Sequence, residues 1–296
     1  MDEGSMSSKL NWLEVPELRE PYFIAGFYGW SNAGNVSSDT VAYLQEFLKP
    51  RAFATLSDEE FINYALNRPI GHIENGIVLH LESLTTELSY WNNSEGDRDL
   101  ILFLGKEPHA NWRSYAEIIL EVIRKLGVTR LYTVGGVQDT ISHSAPVLIS
   151  VVGSSPYLVD AIVQSDDGIE AANYYGPLSI HSYLIKMSIE AEIEAMSVWG
   201  HVPAYLQRSP KVVKKLITVL NKAVGMKCPT QLLQQQSMDL DRKINEAIAK
   251  DPNLREMINS VEDKKSVDEP SSNANKVIRL NDFLHRDPNK DRDSNG

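Results

Sequence analysis

The chain has 296 residues, a formal charge of −11 and a hydrophobic fraction of 42%, enough apolar content for one large core or two modest ones. The negative balance argues against extended contact with nucleic acid phosphates or anionic lipid, both of which need clustered Lys and Arg. No apolar run is as long as a membrane span, residues 1–10 lack the basic and apolar regions of a secretory signal, and the lone Cys228 has no partner for an internal disulfide. A cytosolic protein is therefore expected.

After an N-terminal segment (1–20), short β-rich apolar runs alternate with longer helical patterns from Tyr22 onward. This is the signature of βαβ units and an α/β domain, placed at 21–225. The expected strands are 22–27, 51–56, 77–81, 100–104, 130–134, 147–152 and 197–202. Between them, 37–48, 112–126, 157–163, 178–196 and 210–224 place apolar residues at i, i+3, i+4 and i+7 and are read as helices packed on the sheet. Lys211, Lys214, Lys215 and Lys222 fall on the solvated face of the last of these. Residues 70–81 interrupt the alternation. Two short apolar runs flank Glu74-Asn75-Gly76, and Asn-Gly supplies the positive φ angles of a type I′ hairpin turn. With a second antiparallel excursion at 87–91, the sheet is expected to be mixed but mostly parallel.

Composition changes after Gly225. A helical extension (226–262) is expected as two polar helices, 230–250 and 252–261, whose narrow stripe of Leu232, Leu233, Leu240, Ile244 and Ile248 either docks on the domain or pairs with a partner helix. The tail, 263–296, is rich in Lys, Asp, Ser, Asn and Pro and is expected to be disordered. Its one amphipathic island is 277–284.

In an open parallel sheet, ligands bind outside the carboxyl ends of the strands, so the loops there are the candidate site. Four are rich in glycine and polar groups: Gly26-Phe27-Tyr28-Gly29-Trp30-Ser31-Asn32-Ala33-Gly34 leading to a helix capped by Asn35 or Ser37, the run from Gly105 to Arg113, the run from Gly135 to His143, and Gly153-Ser154-Ser155-Pro156. All four are expected on one edge. Gly29 and Gly34 either let backbone N–H groups cradle an anion or simply permit a tight strand-to-helix turn; the G-x-G-x-x-G and P-loop spacings are absent. Asn32, Arg113, Asp139 and His143 are the ligand-binding candidates. Asp139, His143 and Ser154 supply an acid, a base and a nucleophile from neighbouring loops, yet no G-x-S-x-G elbow surrounds Ser154, and no catalytic residue is assigned. The histidines lack metal-ligand spacing, and the EF-hand-like run Asp291-x-Asp293-x-Asn295-Gly296 stops before its bidentate Glu, so no metal or cofactor is assigned. Residues 173–178 open a helix that reads as a buried helix beside the sheet, the alternative being a wall of the same crevice to which Tyr174 or Tyr175 offers a ring and hydroxyl.

These residues together resemble the PAC2 family, related to proteasome assembly chaperone 2. The likeness runs from about Pro21 to about Leu206 and rests on the loop from Gly26 to Gly34, on Val134-Gly135-Gly136-Val137 leading to His143, on Tyr175-Gly176-Pro177, and on Ser197-Val198-Trp199-Gly200-His201-Val202-Pro203-Ala204-Tyr205. The resemblance implies a three-layer αβα domain of the phosphorylase/hydrolase kind, self-association into a homo-oligomer, and a protein-interaction or assembly-chaperone role with proteasome subunits or a related protein as partner. Some relatives end in a hydrophobic-Tyr-any motif that docks on the proteasome; here the last residues are Asp293-Ser294-Asn295-Gly296. The partner-binding apolar patch is expected on 230–261 or 277–284. The rival reading is a nucleotide, nucleoside or anion site at the four-loop edge, or hydrolysis there.

Overall fold

The computed structural model describes residues 9–81 and 85–262; the expectations for 263–296, including the island at 277–284 and the EF-hand-like run, lie outside the described residues. Nine strands form one sheet: β1 (Leu10–Trp12), β2 (Tyr22–Tyr28), β3 (Arg51–Ser57), β6 (Thr85–Trp91), β7 (Leu100–Lys106), β8 (Arg130–Asp139), β9 (Ile149–Gly153), β10 (Ile169–Ala171) and β11 (Glu194–Pro203). Their spatial order is β1-β3-β6-β7-β2-β8-β11-β9-β10. The centre, β7-β2-β8-β11, runs parallel. The flank β1-β3-β6-β7 is antiparallel, and so is the β11-β9 pair.

The central strands are covered on both faces, which explains their nearly unbroken apolar sequence. In β2, Tyr22 and Ile24 point into one core, and Phe23, Ala25 and Phe27 into the other. The first core lies under α1 (Val36–Leu48), α3 (Pro156–Val163) and α5 (Pro210–Val224), the second under α2 (Trp112–Lys125) and α4 (Ile180–Glu190). The result is three layers. In α2 the buried residues Tyr115, Ile118, Ile119, Val122 and Ile123 recur at helical spacing, so one stripe faces the sheet. Pro210 opens α5 and Gly225, at φ 68°, closes it in the left-handed conformation that glycine adopts without a Cβ clash.

Two features depart from the expected elements, and a third decides between two expected alternatives. The helix expected over 178–196 ends at Glu190; Glu192 turns the chain at φ 57°, and Ala195 and Met196 already alternate between the two cores as part of β11. The three-residue strands β1 and β10, too short to show a period, extend the sheet on each side. The stripe of the C-terminal extension is covered by the chain itself. Leu233 and Ile244 of α6 (Gln231–Lys250) and Leu254 and Ile258 of α7 (Pro252–Glu262) are buried in the first core, with Leu240 and Ile248 packed against it. The apolar patch expected over 230–261 is thereby mostly internal, although Leu232 and Met238 remain exposed.

The hairpin forms as expected and stands apart from the main sheet. Among the described residues, strands β4 (Gly71–Glu74) and β5 (Ile77–Leu81) pair only with each other, around Asn75 at φ 50° and Gly76 at φ 79°. Every residue of both strands is exposed. The root of this arm is buried: Asp58, just after β3, accepts a 2.7 Å hydrogen bond from Thr86 of β6, and Phe61 is packed beside Tyr115.

Candidate functional site

Strands β2, β7 and β8 are parallel, so the loops after them share one edge, the carboxyl edge of the sheet. The fourth loop does not. Because β9 runs antiparallel to β11, Gly153 lies beside Met196 at the start of β11. Ser154 there accepts a hydrogen bond from Ala195 N (3.0 Å), at the opposite edge from Asp139 and His143. The same reversal brings the beginning of β9 to the carboxyl edge, with Ile149 beside Gly200.

The loop after β2 is closed by its own side chains. Asn32 Oδ1 accepts from Ser38 N (3.0 Å) and Nδ2 donates to Ser38 Oγ (2.9 Å), so Asn32 caps the first turn of α1, and neither Asn35 nor Ser37 does. Ser37 instead ties strands together, accepting from Phe27 N at 2.9 Å and donating to Val134 O. Gly29 (φ 134°) and Gly34 (φ 55°) both need glycine: an added Cβ would stand 2.7 Å from Glu107 Cβ and 2.7 Å from Val202 Cγ1, respectively. Glu107 staples two further loops, accepting from Trp30 N (2.9 Å) and Ile180 N (3.0 Å), and so occupies the amide at the start of α4. Behind it His181 is fully buried between Phe27 and Trp199, with ring centroids 5.0 and 4.9 Å away, and burial lowers its pKa to about 3, holding the ring neutral.

The other candidates separate. Arg113 is three-quarters exposed on α2, where Glu117 one turn along binds its guanidinium at 2.9 Å and raises its pKa. It borders an outer groove with Glu121, Arg124, Met187 and Glu190. His143 is buried on the α6 side: Tyr205 Oη accepts from its backbone N (2.8 Å) and lies 2.9 Å from Nδ1, while Nε2 is 3.3 Å from Asn245 Oδ1 on α6. With Nε2 donating to Asn245, Nδ1 accepts from the tyrosine hydroxyl, and one neutral tautomer satisfies the whole set. Lys211 Nζ donates to the His143 and Ala145 carbonyls at 2.8 and 2.9 Å. The adjoining cavity, lined by His143, Lys211, Leu240 and Asp241 among others, has about 20 Å³, little more than the space of one water.

Asp139, the last residue of β8, has different partners, although His201, to which it is paired, borders the same small cavity as His143. Its Oδ2 lies 2.8 Å from Nδ1 of His201, whose Nε2 is 3.0 Å from Ser150 Oγ, and its Oδ1 accepts from Thr140 N at 2.7 Å. Asn32, Arg113, Asp139 and His143 thus engage four different sets of partners rather than one pocket. Glu107, Ser150, His201, Tyr205 and Asn245 are not among the site residues expected from the sequence, although Glu107 lies in one of the four candidate loops and His201 and Tyr205 lie in the 197–205 motif that carries the resemblance.

Fold and edge together define a three-layer α/β protein whose carboxyl edge is closed largely by its own side chains. The PAC2 family profile matches residues 26–248, and the chain belongs to that family. Its structure is similar to a PAC2 family protein from Streptomyces avermitilis (30% identity over 76% of this chain and 95% of that one, TM-score 0.68). It is also similar to a proteasome-assembly chaperone homologue from Mycobacterium tuberculosis (28%, 79% and 98%, TM-score 0.71). A proteasome activator from Pyrococcus furiosus shares the fold at 18% identity over 80% of this chain and 97% of that one, with a TM-score of 0.65. No curated protein matches the chain. Among the described residues no helix is long and apolar enough to cross a membrane, and no group of three or more His, Cys, Asp or Glu side chains is placed to hold a metal.

Proposed function

We propose that this chain is an assembly-chaperone-like, protein-binding member of its family that works as a homo-oligomer in the cytosol, with proteasome subunits or a related particle as its partner. The arm carries this reading. Ile73, Ile77, Val78, Leu79 and Leu81 are each 55–65% exposed on a two-stranded sheet over which, among the described residues, no layer lies on either face. A two-stranded hairpin alone is at best marginally stable in water, and a contiguous apolar patch of this kind marks a protein interface. The described relative from Mycobacterium tuberculosis, a proteasome-assembly chaperone homologue, supports the partner class.

The test is light scattering after size-exclusion chromatography on the full chain and on the variant Ile73→Glu with Val78→Lys. These residues face each other across the hairpin, so opposite charges preserve the pairing while removing the apolar surface. The expected result is an oligomer that the double variant dissociates, and purified proteasome subunits that bind the parent chain and not the variant. A parent chain that stays monomeric at tens of micromolar, as a rough working range for a standard-size interface, overturns the reading.

A further inference from the structure

The geometry points to a second activity that the assembly role does not use: Ser150, His201 and Asp139 form a nucleophile, base and orienting carboxylate for hydrolysis of activated carboxylic esters. Three adjacent strands supply the three groups. Asp139 ends β8, His201 lies two residues before the end of β11, and Ser150 is the second residue of β9. The register places Pro203 beside Asp139 and Trp199 beside Ser150. Side chains two residues apart on a strand share a face, so Trp199 and His201 lie on one side of the sheet, with Ser150 level with Trp199 on that side. His201 therefore sits between the other two, 2.8 Å from Asp139 Oδ2 and 3.0 Å from Ser150 Oγ. This order exists only because β9 is reversed.

The carboxylate selects the tautomer. Asp139 Oδ2 accepts from His201 Nδ1–H, which leaves the Nε2 lone pair facing the Ser150 hydroxyl. The opposite tautomer would set two acceptors, Oδ2 and Nδ1, against each other at 2.8 Å. Thr140 N holds the second carboxylate oxygen, so the orienting group is itself fixed. The imidazole and carboxylate side chains are 15% and 26% exposed and Ser150 is 8% exposed, so the base is in reach of solvent and only a small substrate can approach the nucleophile at the sheet edge.

The reaction follows from these roles. Ser150 Oγ attacks the ester carbonyl carbon while its proton passes to His201 Nε2. The ester C–O bond breaks, the leaving alcohol takes that proton, and the acyl group stays on Oγ. Water then attacks the acyl carbon, giving one proton to Nε2; the acyl–Oγ bond breaks, the carboxylic acid leaves, and Ser150 recovers its proton. With no set of backbone amides assigned to an oxyanion, the site favours small esters whose leaving group departs readily, such as aryl esters, over amides, which need strong stabilisation of the oxyanion.

The experiment uses the full chain with a fluorophosphonate probe and with 4-nitrophenyl acetate, followed by peptide mapping. Ser150 is expected to carry the phosphonyl group, Ser150→Ala to lose both labelling and hydrolysis, and His201→Gln or Asp139→Asn to slow labelling by about a hundredfold. Labelling absent from the parent chain, or unchanged in His201→Gln, overturns the proposal. Ser150→Cys separates catalysis from a purely structural clamp. Its thiol should be alkylated by iodoacetamide much faster than Cys228, whose buried thiol is pushed up to about 12, and His201→Gln in that background should abolish the advantage. Equal alkylation with and without His201 also overturns it.

Discussion

The arm of β4 and β5 and the C-terminal pair α6 and α7 invert what their compositions suggest. The helices are polar, with a single narrow stripe, yet Leu233, Ile244, Leu254 and Ile258 are buried against the sheet domain. The arm is apolar at five of its positions and covered at none of them. A helix needs only one face in four residues to find a groove, and α5 provides it. A hairpin displaced from the sheet presents both faces at once, and among the described residues no layer covers it. Apolar content therefore says less about where a partner binds than whether the chain can cover the face itself.

The largest effect that would break this contrast is expected at Ile244. Replacing this fully buried side chain by Ala should cost about 2–5 kcal/mol in urea unfolding; a near-neutral result would mean that α6 does not rest on the core. The second lies at the arm's root. Burial raises the pKa of Asp58 to about 6, against the opposing pull of its Thr86 hydrogen bond and of Lys106. A carboxyl whose folded pKa exceeds its unfolded one binds more protons when folded, so its ionisation costs stability as pH rises from about 3.8 to about 6, and the full cost is present above that window. Asp58→Asn should thus stabilise the protein on the order of 2 kcal/mol at pH 7.5, less at pH 5, and not at all near pH 3.5, as read from unfolding midpoints across pH. The smallest effect belongs to the tip. At dilute protein concentration, Ile73→Glu with Val78→Lys should move unfolding stability by no more than about 0.5 kcal/mol, because both positions are exposed among the described residues. A larger loss would show that the arm is covered after all.

Much of the fold was legible because it is periodic. The apolar spacing of α2 and α5, the unbroken apolar run of β2, and Asn75-Gly76 between short β-rich runs all report local backbone geometry. Strand direction is not local. Whether β9 runs with or against β11 depends on how the chain crosses the sheet, and that one reversal moved Ser154 away from Asp139 and brought Ser150 toward His201. The same limit applies to His143, whose partners Tyr205 and Asn245 are 62 and 102 residues away. Asn32 is read from the sequence as a ligand candidate, whereas in the structure its side chain holds Ser38, six residues on. Arg113 is matched to Glu117 by helical spacing, a pairing that the sequence already contained.

The nine-stranded sheet is bounded by β1 and β10, each three residues long. Such short borders expose few unpaired backbone amides and carbonyls, which blunts the tendency of sheets to recruit foreign strands. Among the described residues the two strands of the arm are each paired on one side only, so their outer rows of N–H and C=O groups form unpaired edges. A strand added there would extend the hairpin without disturbing the sheet that builds the two cores.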